Sequence, residues 1–322
     1  MTMFYRYGAV ILALWAIATQ GFAQTFPTRP IHFVVPFSTG GAPDVVARVV
    51  GNKLGESIGW RVVVDNRPGA GGIIAAESVA KAPADGYTLF VSTINHLAIN
   101  PSLYQKLPYD PLKDFVPVTL AVTTPLFLVV NAATPVRSVK ELIDYAKANP
   151  GLPYGSSGNG SQHHLGMELF KLMTGVHMTH IPYKGVATSV PAILAGDIAV
   201  MLVALPSVLP HIKTGKLRVI AVAEARRSPV MPDVPTIAEA GLAGYEISPE
   251  IGFVAPAGTS KDITDKLNQE IVKVLKMPEI AQHLVPLGIE PVGSTAAKYA
   301  ESIHVNLEKY AKLVKISGAR VD

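Results

Sequence analysis

Near-continuous apolar, β-branched runs alternate with helix-period segments along most of this chain. That alternation restricts its fold more than any other feature. IHFVVPF at 31–37 reads as a buried strand, followed by the loop STGGAPD and a helical pattern through residue 59. RVVVDN at 61–66 is the next strand, followed by RPGAGG and the helix IIAAESVAKA, with TLFVST at 88–93 as the third strand. Strands of this kind separated by helices predict parallel sheet covered by helices. LPYDPLKDFVPV at 107–118 reads as a proline-rich connector, after which the alternation resumes through LRVIAVA at 217–223. LVVNAATPVRSVKEL at 128–142 resembles FVAPAGTSKDITDKL at 253–267, at a constant offset of 125. Either this repeat marks two sheet lobes, each entered by a crossing strand, or strand–turn–helix units simply look alike.

Size permits two lobes. The chain has 322 residues, 49% hydrophobic and only 16% charged, enough to bury a large core and too apolar for a disordered protein. Arg6 precedes an uncharged run from Gly8 to Ala18, and Gly21-Phe22-Ala23 follows. A basic start, a short apolar stretch and a small-x-small site predict a cleaved secretory signal peptide over 1–23, with the mature chain starting near Gln24. The apolar run is about half the ~20 residues that a membrane-spanning helix needs. The absence of cysteine excludes thiolate catalysis and cysteine-ligated zinc. The formal charge of +4 becomes +3 without Arg6, the only charged residue of the leader. With no Lys/Arg stripe, this slightly favours small anionic ligands and gives nucleic-acid binding no support.

Three strand ends feed glycine- or hydroxyl-rich loops that open helices: PFSTGGAPD at 36–44 with Asp44 as the expected N-cap, NRPGAGG at 66–72, and GSSGNGS at 155–161. Helix N-termini leave backbone N–H groups unpaired and carry positive potential, so each loop is a possible anion cradle, although most such loops are only tight turns. The catalytic and nucleotide signatures fail on spacing. A nucleophile elbow needs Gly-x-Ser-x-Gly, but from Gly155 the fifth residue is Asn159; no Gly-Lys-Ser/Thr closes a Walker loop, and neither glycine pair completes a dinucleotide fingerprint. His177 and His180 lie three apart, but in a turn and strand pattern, and no HExxH occurs, so no metal site is assigned. Tyr183 and Lys184, in IPYKG before a helix, are candidates to line a cleft.

These segments, with PTRPI, ADGYTL, YGSSGNGSQHHLGMELF, LPHIKTGKLRVIAV, DVPTIAEAG and FVAPAGTS, stand in an order that resembles the Bug family, the TctC-like periplasmic solute receptors of tripartite tricarboxylate transporters. The resemblance runs from about Phe26 to the C-terminus. It implies an α/β, type II periplasmic binding protein with two α/β lobes joined by a crossing-strand hinge. Lobe 1 would comprise 24–125 plus 251–322, and lobe 2 would comprise 126–250. It implies a small carboxylate held between the lobes by backbone amides and hydroxyls, membrane transporter subunits as partners, a monomer, no cofactor and no catalysis. Carried onto this chain, the first-lobe contacts are Phe37, Ser38, Gly40, Gly41, Ala70, Gly71 and Ser92 or Thr93. The second-lobe contacts are Ser157, Asn159, Ser161 and His164, with Tyr183 and Lys184 beside them.

Two positions depart from the family pattern. Val203 stands where many members carry an acid, which implies a more apolar far end and favours an aromatic or aliphatic carboxylate over an amino acid. Glu250 stands at a position that is often aromatic; a carboxylate there would repel an anion or accept from a ligand donor, or else it is a solvated rim residue, the reading taken first. Two other readings stay open: a secreted hydrolase or isomerase using His163 or His164 with Ser157 or Ser161, and a ligand sensor for a signalling partner.

Overall fold

Phe33 and Val34 are neighbours in sequence and face opposite sides of a sheet, as strand pleating requires. Phe33 joins Leu89, Ile251 and Phe253 on one face. Val34 joins Phe90 and Val254 on the other. The computed structural model describes residues 26–320; the expected signal peptide over 1–23 and the expected start near Gln24 lie outside the described residues.

Among the described residues there are two sheets. The first holds β1 (Ile31–Val35), β2 (Val62–Asn66), β3 (Thr88–Thr93) and β4 (Phe115–Thr123). The second holds β5 (Leu126–Asn131), β6 (Leu152–Ser156), β7 (Met178–Pro182), β8 (Val200–Ala204) and β9 (Leu217–Val222). The chain then returns to the first sheet with β10 (Glu250–Pro256) and β11 (Glu290–Pro291). Strand orders are β11-β4-β10-β3-β1-β2 and β7-β6-β8-β5-β9. The covering helices are α1 (Ala42–Ile58), α2 (Ile73–Ala80), α3 (Val139–Ala148), α4 (Gln162–Thr174), α5 (Val186–Ala195), α6 (Lys261–Leu275) and α7 (Ala296–Ser317).

This is the expected two-lobed α/β architecture, with one difference: the sheets are mixed rather than wholly parallel. β1, β2 and β3 pair in parallel, as do β6, β7 and β8. β10 runs antiparallel between β3 and β4, and β5 runs antiparallel between β8 and β9. These two strands begin the two copies of the sequence repeat, and each leads through a turn into a helix, α3 or α6, with Ser138 or Ser260 at the N-cap.

The proline-rich connector also ends earlier than expected, because Phe115–Thr123 is β4. Pro117 is tolerated there because β11 pairs only with Val122 and Thr123, which leaves the proline on an open edge where no N–H is needed. The helix α7 serves both halves. Tyr299 and Ile303 pack under the first sheet, whereas Tyr310, Leu313 and Val314 enter the core of the second.

Candidate functional site

The three singled-out loops all follow parallel strands, at the carboxyl ends of β1, β2 and β6. In open α/β sheets this is the edge at which ligands bind, because the helices that follow present their N-termini there. Between the two sheets lies a cavity of about 570 Å³. Phe37, Gly40, Gly41 and Thr93 line it from the first sheet, and Ser157, Ser161, Gln162 and His163 from the second. The connections contribute Thr124, Pro249 and Glu250, and Leu287 to Ile289 close one side.

The loop before α4 is ordered by its own polar groups. Ser161 is the N-cap: its Oγ accepts from the His164 N–H (3.3 Å) and donates to the Gly158 carbonyl (2.7 Å). Ser156 Oγ accepts from the Gly158 N–H (3.1 Å), and the Gly160 N–H donates to His164 Nδ1 (3.1 Å). The N–H groups of Gln162 and His163 precede any intrahelical carbonyl, so they remain available beside the Ser157 hydroxyl. No acidic side chain occupies the first turn of α4 to cancel its dipole.

The first-sheet terminus is electrostatically different. The N-cap of α1 is Gly41 rather than the expected Asp44, which sits two residues into the helix. Asp44 is buried and accepts from the Gly40 N–H (2.9 Å), Asn66 Nδ2 (2.9 Å) and Arg48 Nε (3.0 Å). These bonds hold its carboxyl below the usual range although burial pushes it up. Asp44 therefore offsets the positive end of α1, and α4 is the stronger anion seat.

The structure brings Phe37, Gly40, Gly41, Thr93, Ser157 and Ser161 to one cavity wall. It does not bring the other expected residues there. Ser38, Ala70, Gly71, Asn159 and Lys184 are exposed outside the lining, and Tyr183 is half-buried against the core beneath α5. Three others face inward. Ser92 alternates with Thr93 along β3, so its hydroxyl points into the protein, donating to the Gly252 carbonyl (3.1 Å) and meeting the Tyr299 hydroxyl (3.1 Å). His164 lies beneath the loop, its ring stacked on His180 at 3.8 Å and 6°. Burial pushes both rings down, His180 to about 4, so neither adds positive charge to the cradle at neutral pH. Val203 shares a strand face with Met201 and packs in the core with Phe127 and Val129; Ala204 is the β8 residue at the cavity.

Glu250 is not a solvated rim residue. It is 8% exposed and lines the cavity, with Oε1 accepting from Ser302 Oγ (2.6 Å) and Asn306 Nδ2 (3.2 Å). Burial pushes its carboxyl above the usual range, and those two bonds oppose the shift. Asn95, Thr124 and Leu287 to Ile289 were not legible as lining residues: none lies in a glycine-rich loop, Asn95 opening the helical segment Asn95–Ile99, Thr124 linking β4 to β5 and Leu287 to Ile289 leading into β11. No lysine or arginine among the described residues lines the cavity.

Comparison with known proteins bears on what such a cavity receives. Residues 46–318 match the sequence profile of the tripartite tricarboxylate transporter family receptors. Protein BugT of Bordetella pertussis is 38% identical over 323 aligned residues, covering 100% of this chain and 99% of its own length. A Pseudomonas sp. strain P51 protein from the tcbD-tcbE intergenic region is 40% identical over 293 residues, covering 90% of this chain and 87% of its own. Among solved structures, R. palustris Rpa4515 with adipate superposes with a TM-score of 0.80 at 39% identity, covering 92% of this chain and 100% of that one. MatC from Rhodopseudomonas palustris with bound malate gives 0.74 at 31% identity, covering 90% and 100%.

Proposed function

The chain belongs to the tripartite tricarboxylate transporter receptor family, and on that premise we propose that it captures a small carboxylate between its lobes and delivers it to a tripartite membrane transporter. The observation that carries this reading is the α4 N-terminus. It presents the free N–H groups of Gln162 and His163, beside the Ser157 hydroxyl, to a cavity with no lysine or arginine among its described lining residues, while Ser161 gives its proton to the Gly158 carbonyl and holds the loop. Neutral donors on a helix dipole suit one carboxylate head, and the remaining wall, largely apolar, suits an aliphatic or aromatic body. Relatives solved with adipate and malate agree with that ligand class. Delivery to a transporter requires export, which the leader over 1–23 would provide, and no described helix is long and apolar enough to cross a membrane. Hinge closure around the ligand would be the signal to the membrane partner. The protein performs no chemistry of its own in this reading.

One contact favours a second reading. Ser157 Oγ lies 2.6 Å from His163 Nδ1, the pairing a hydrolase would use. A triad also needs a group to orient the imidazole, and no acidic side chain among the described residues hydrogen-bonds His163. Titration calorimetry of the mature protein with mono- and dicarboxylates, beside an ester-hydrolysis assay, separates the two. A receptor binds, and Ser157→Ala weakens binding by about 1.5–3 kcal/mol, the range for a lost hydrogen bond to a charged group. Turnover abolished by the same substitution would establish the hydrolase instead.

A further inference from the structure

His164 is the third residue of α4, three positions after the N-cap Ser161. A capping box carries Glu or Gln there, whose side chain reaches back to a backbone N–H ahead of the helix. His164 fills that role with an imidazole. Its backbone N–H donates to Ser161 Oγ (3.3 Å), and its Nδ1 accepts the Gly160 N–H (3.1 Å). A ring nitrogen that accepts carries no proton, so His164 is neutral with its proton on Nε2. Its burial favours the same state, pushing the imidazole below its usual range despite the Glu168 carboxylate 3.8 Å from Nε2. That carboxylate is itself engaged by Lys171 Nζ (2.7 Å) and the Tyr154 hydroxyl. The turn has no slack at this point, because Gly160 holds a φ of 70° and a Cβ on it would stand 2.5 Å from Leu103 Cδ2.

We infer that His164 is a positioning residue for carboxylate capture: by accepting the Gly160 N–H it sets the turn from which the Gln162 and His163 N–H groups and the Ser157 hydroxyl face the cavity. The inference rests on the carboxylate-receptor reading and gives His164 a role beneath the seat, in place of the ligand contact expected from the sequence. The choice of imidazole has a physical reason. A carboxylate in its place would accept the same N–H, but it would set a negative charge under the seat and cancel the helix dipole there. A neutral imidazole accepts without adding charge. Packing alone does not call for it, since any flat ring could cover the His180 face on which it stacks. Only a ring with an acceptor at Nδ1 also holds Gly160.

The test compares His164→Asn, whose Oδ1 takes the place of Nδ1, with His164→Phe, which keeps a ring on His180 and removes the acceptor. Titration calorimetry of the mature protein with hexanoate, adipate and benzoate is paired with equilibrium melts. For an acid that the unaltered protein binds, His164→Asn should stay within about threefold of it, and His164→Phe should bind about tenfold more weakly. The melts should rank the two variants the other way, since Phe keeps the stack and Asn loses it. Binding unimpaired in His164→Phe, or affinities that simply follow the stabilities of the two variants, overturns the inference and leaves the receptor reading standing. If none of these acids binds the unaltered protein, the receptor reading falls and takes the inference with it. Should either variant fail to fold, amide hydrogen exchange on the unaltered protein decides. A Gly160 N–H that is protected, and more so with the acid bound, supports the inference; one that exchanges freely, or ignores the acid, overturns it.

Discussion

Gly72 carries a φ of 86°, and a Cβ built there would sit 2.0 Å from His96 Nε2 and 2.9 Å from Pro36 Cβ. His96 is fully buried, and burial pushes its imidazole down to about 4, so it packs as a neutral ring. Gly72 is thus required to clear this ring, whereas a Cβ on Gly69 would meet Ile74 and one on Gly71 the Tyr104 hydroxyl; in the same turn Ala70 takes a φ of 46°. Gly72→Ala combines left-handed strain with overpacking and should destabilise the protein by roughly 2–4 kcal/mol in a denaturant melt. A loss below about 1 kcal/mol would mean that His96 swings aside without cost. The glycine pattern was plain in the sequence, but its purpose was not. Ala70 and Gly71 read as ligand contacts, because nothing in the local string shows that His96 folds back under the turn. Glu250 was misread for a related cause: its partners Ser302 and Asn306 lie more than 50 positions downstream, so neighbours in sequence give no sign of burial.

Elements were more legible than contacts, because a strand or helix is specified by its own periodicity. β1, β3 and α4 fall where the apolar runs place them, and the repeat at an offset of 125 maps onto β5 and β10, each antiparallel to its neighbours in its own sheet. What escaped was strand direction, which depends on the path of the chain between lobes, and β4, whose Pro117 argues locally against a strand. The α4 N-terminus, by contrast, was readable because capping is local. Ser161→Ala should cost about 1 kcal/mol of stability through loss of the cap. It should also weaken carboxylate binding, since the loop from Gly158 to Gly160 loses its tie to the helix. Equilibrium melts and titration on the same preparation check both, and an unchanged affinity would remove Ser161 from the anion seat. The far end of α7 makes a complementary case. Leu313, 4% exposed in the core of the second sheet, ties a helix rooted under the first sheet to the opposite lobe. Leu313→Ala should cost about 2–5 kcal/mol, the range for a truncated core leucine. A melt that loses less than 1 kcal/mol would make the helix end peripheral.

At the scale of the whole molecule, the two lobes meet where buried and half-buried acids accumulate. The chain leaves β9 through Glu224 and re-enters the first sheet at Glu250, with Glu246 between them and Glu290 on β11. Glu224 Oε1 is buried without a partner, and burial, reinforced by the negative charges of Glu246, Glu290 and Glu250, pushes its carboxyl up to about 8. Unfolded, the same group titrates near an ordinary glutamate value, so between the two values the native state binds more protons than the unfolded chain. The stabilisation is therefore complete below about pH 4.5 and is lost as pH rises through about 8. Its slope is on the order of 1 kcal/mol per pH unit at most. Glu224→Gln keeps the shape and removes the proton equilibrium. Unfolding free energies measured at pH 5 and pH 8.5 should show the variant gaining on the unaltered protein as pH rises. A difference that stays constant across that range would place the Glu224 carboxylate in water, and the junction between the lobes would then carry no proton-linked contribution from it.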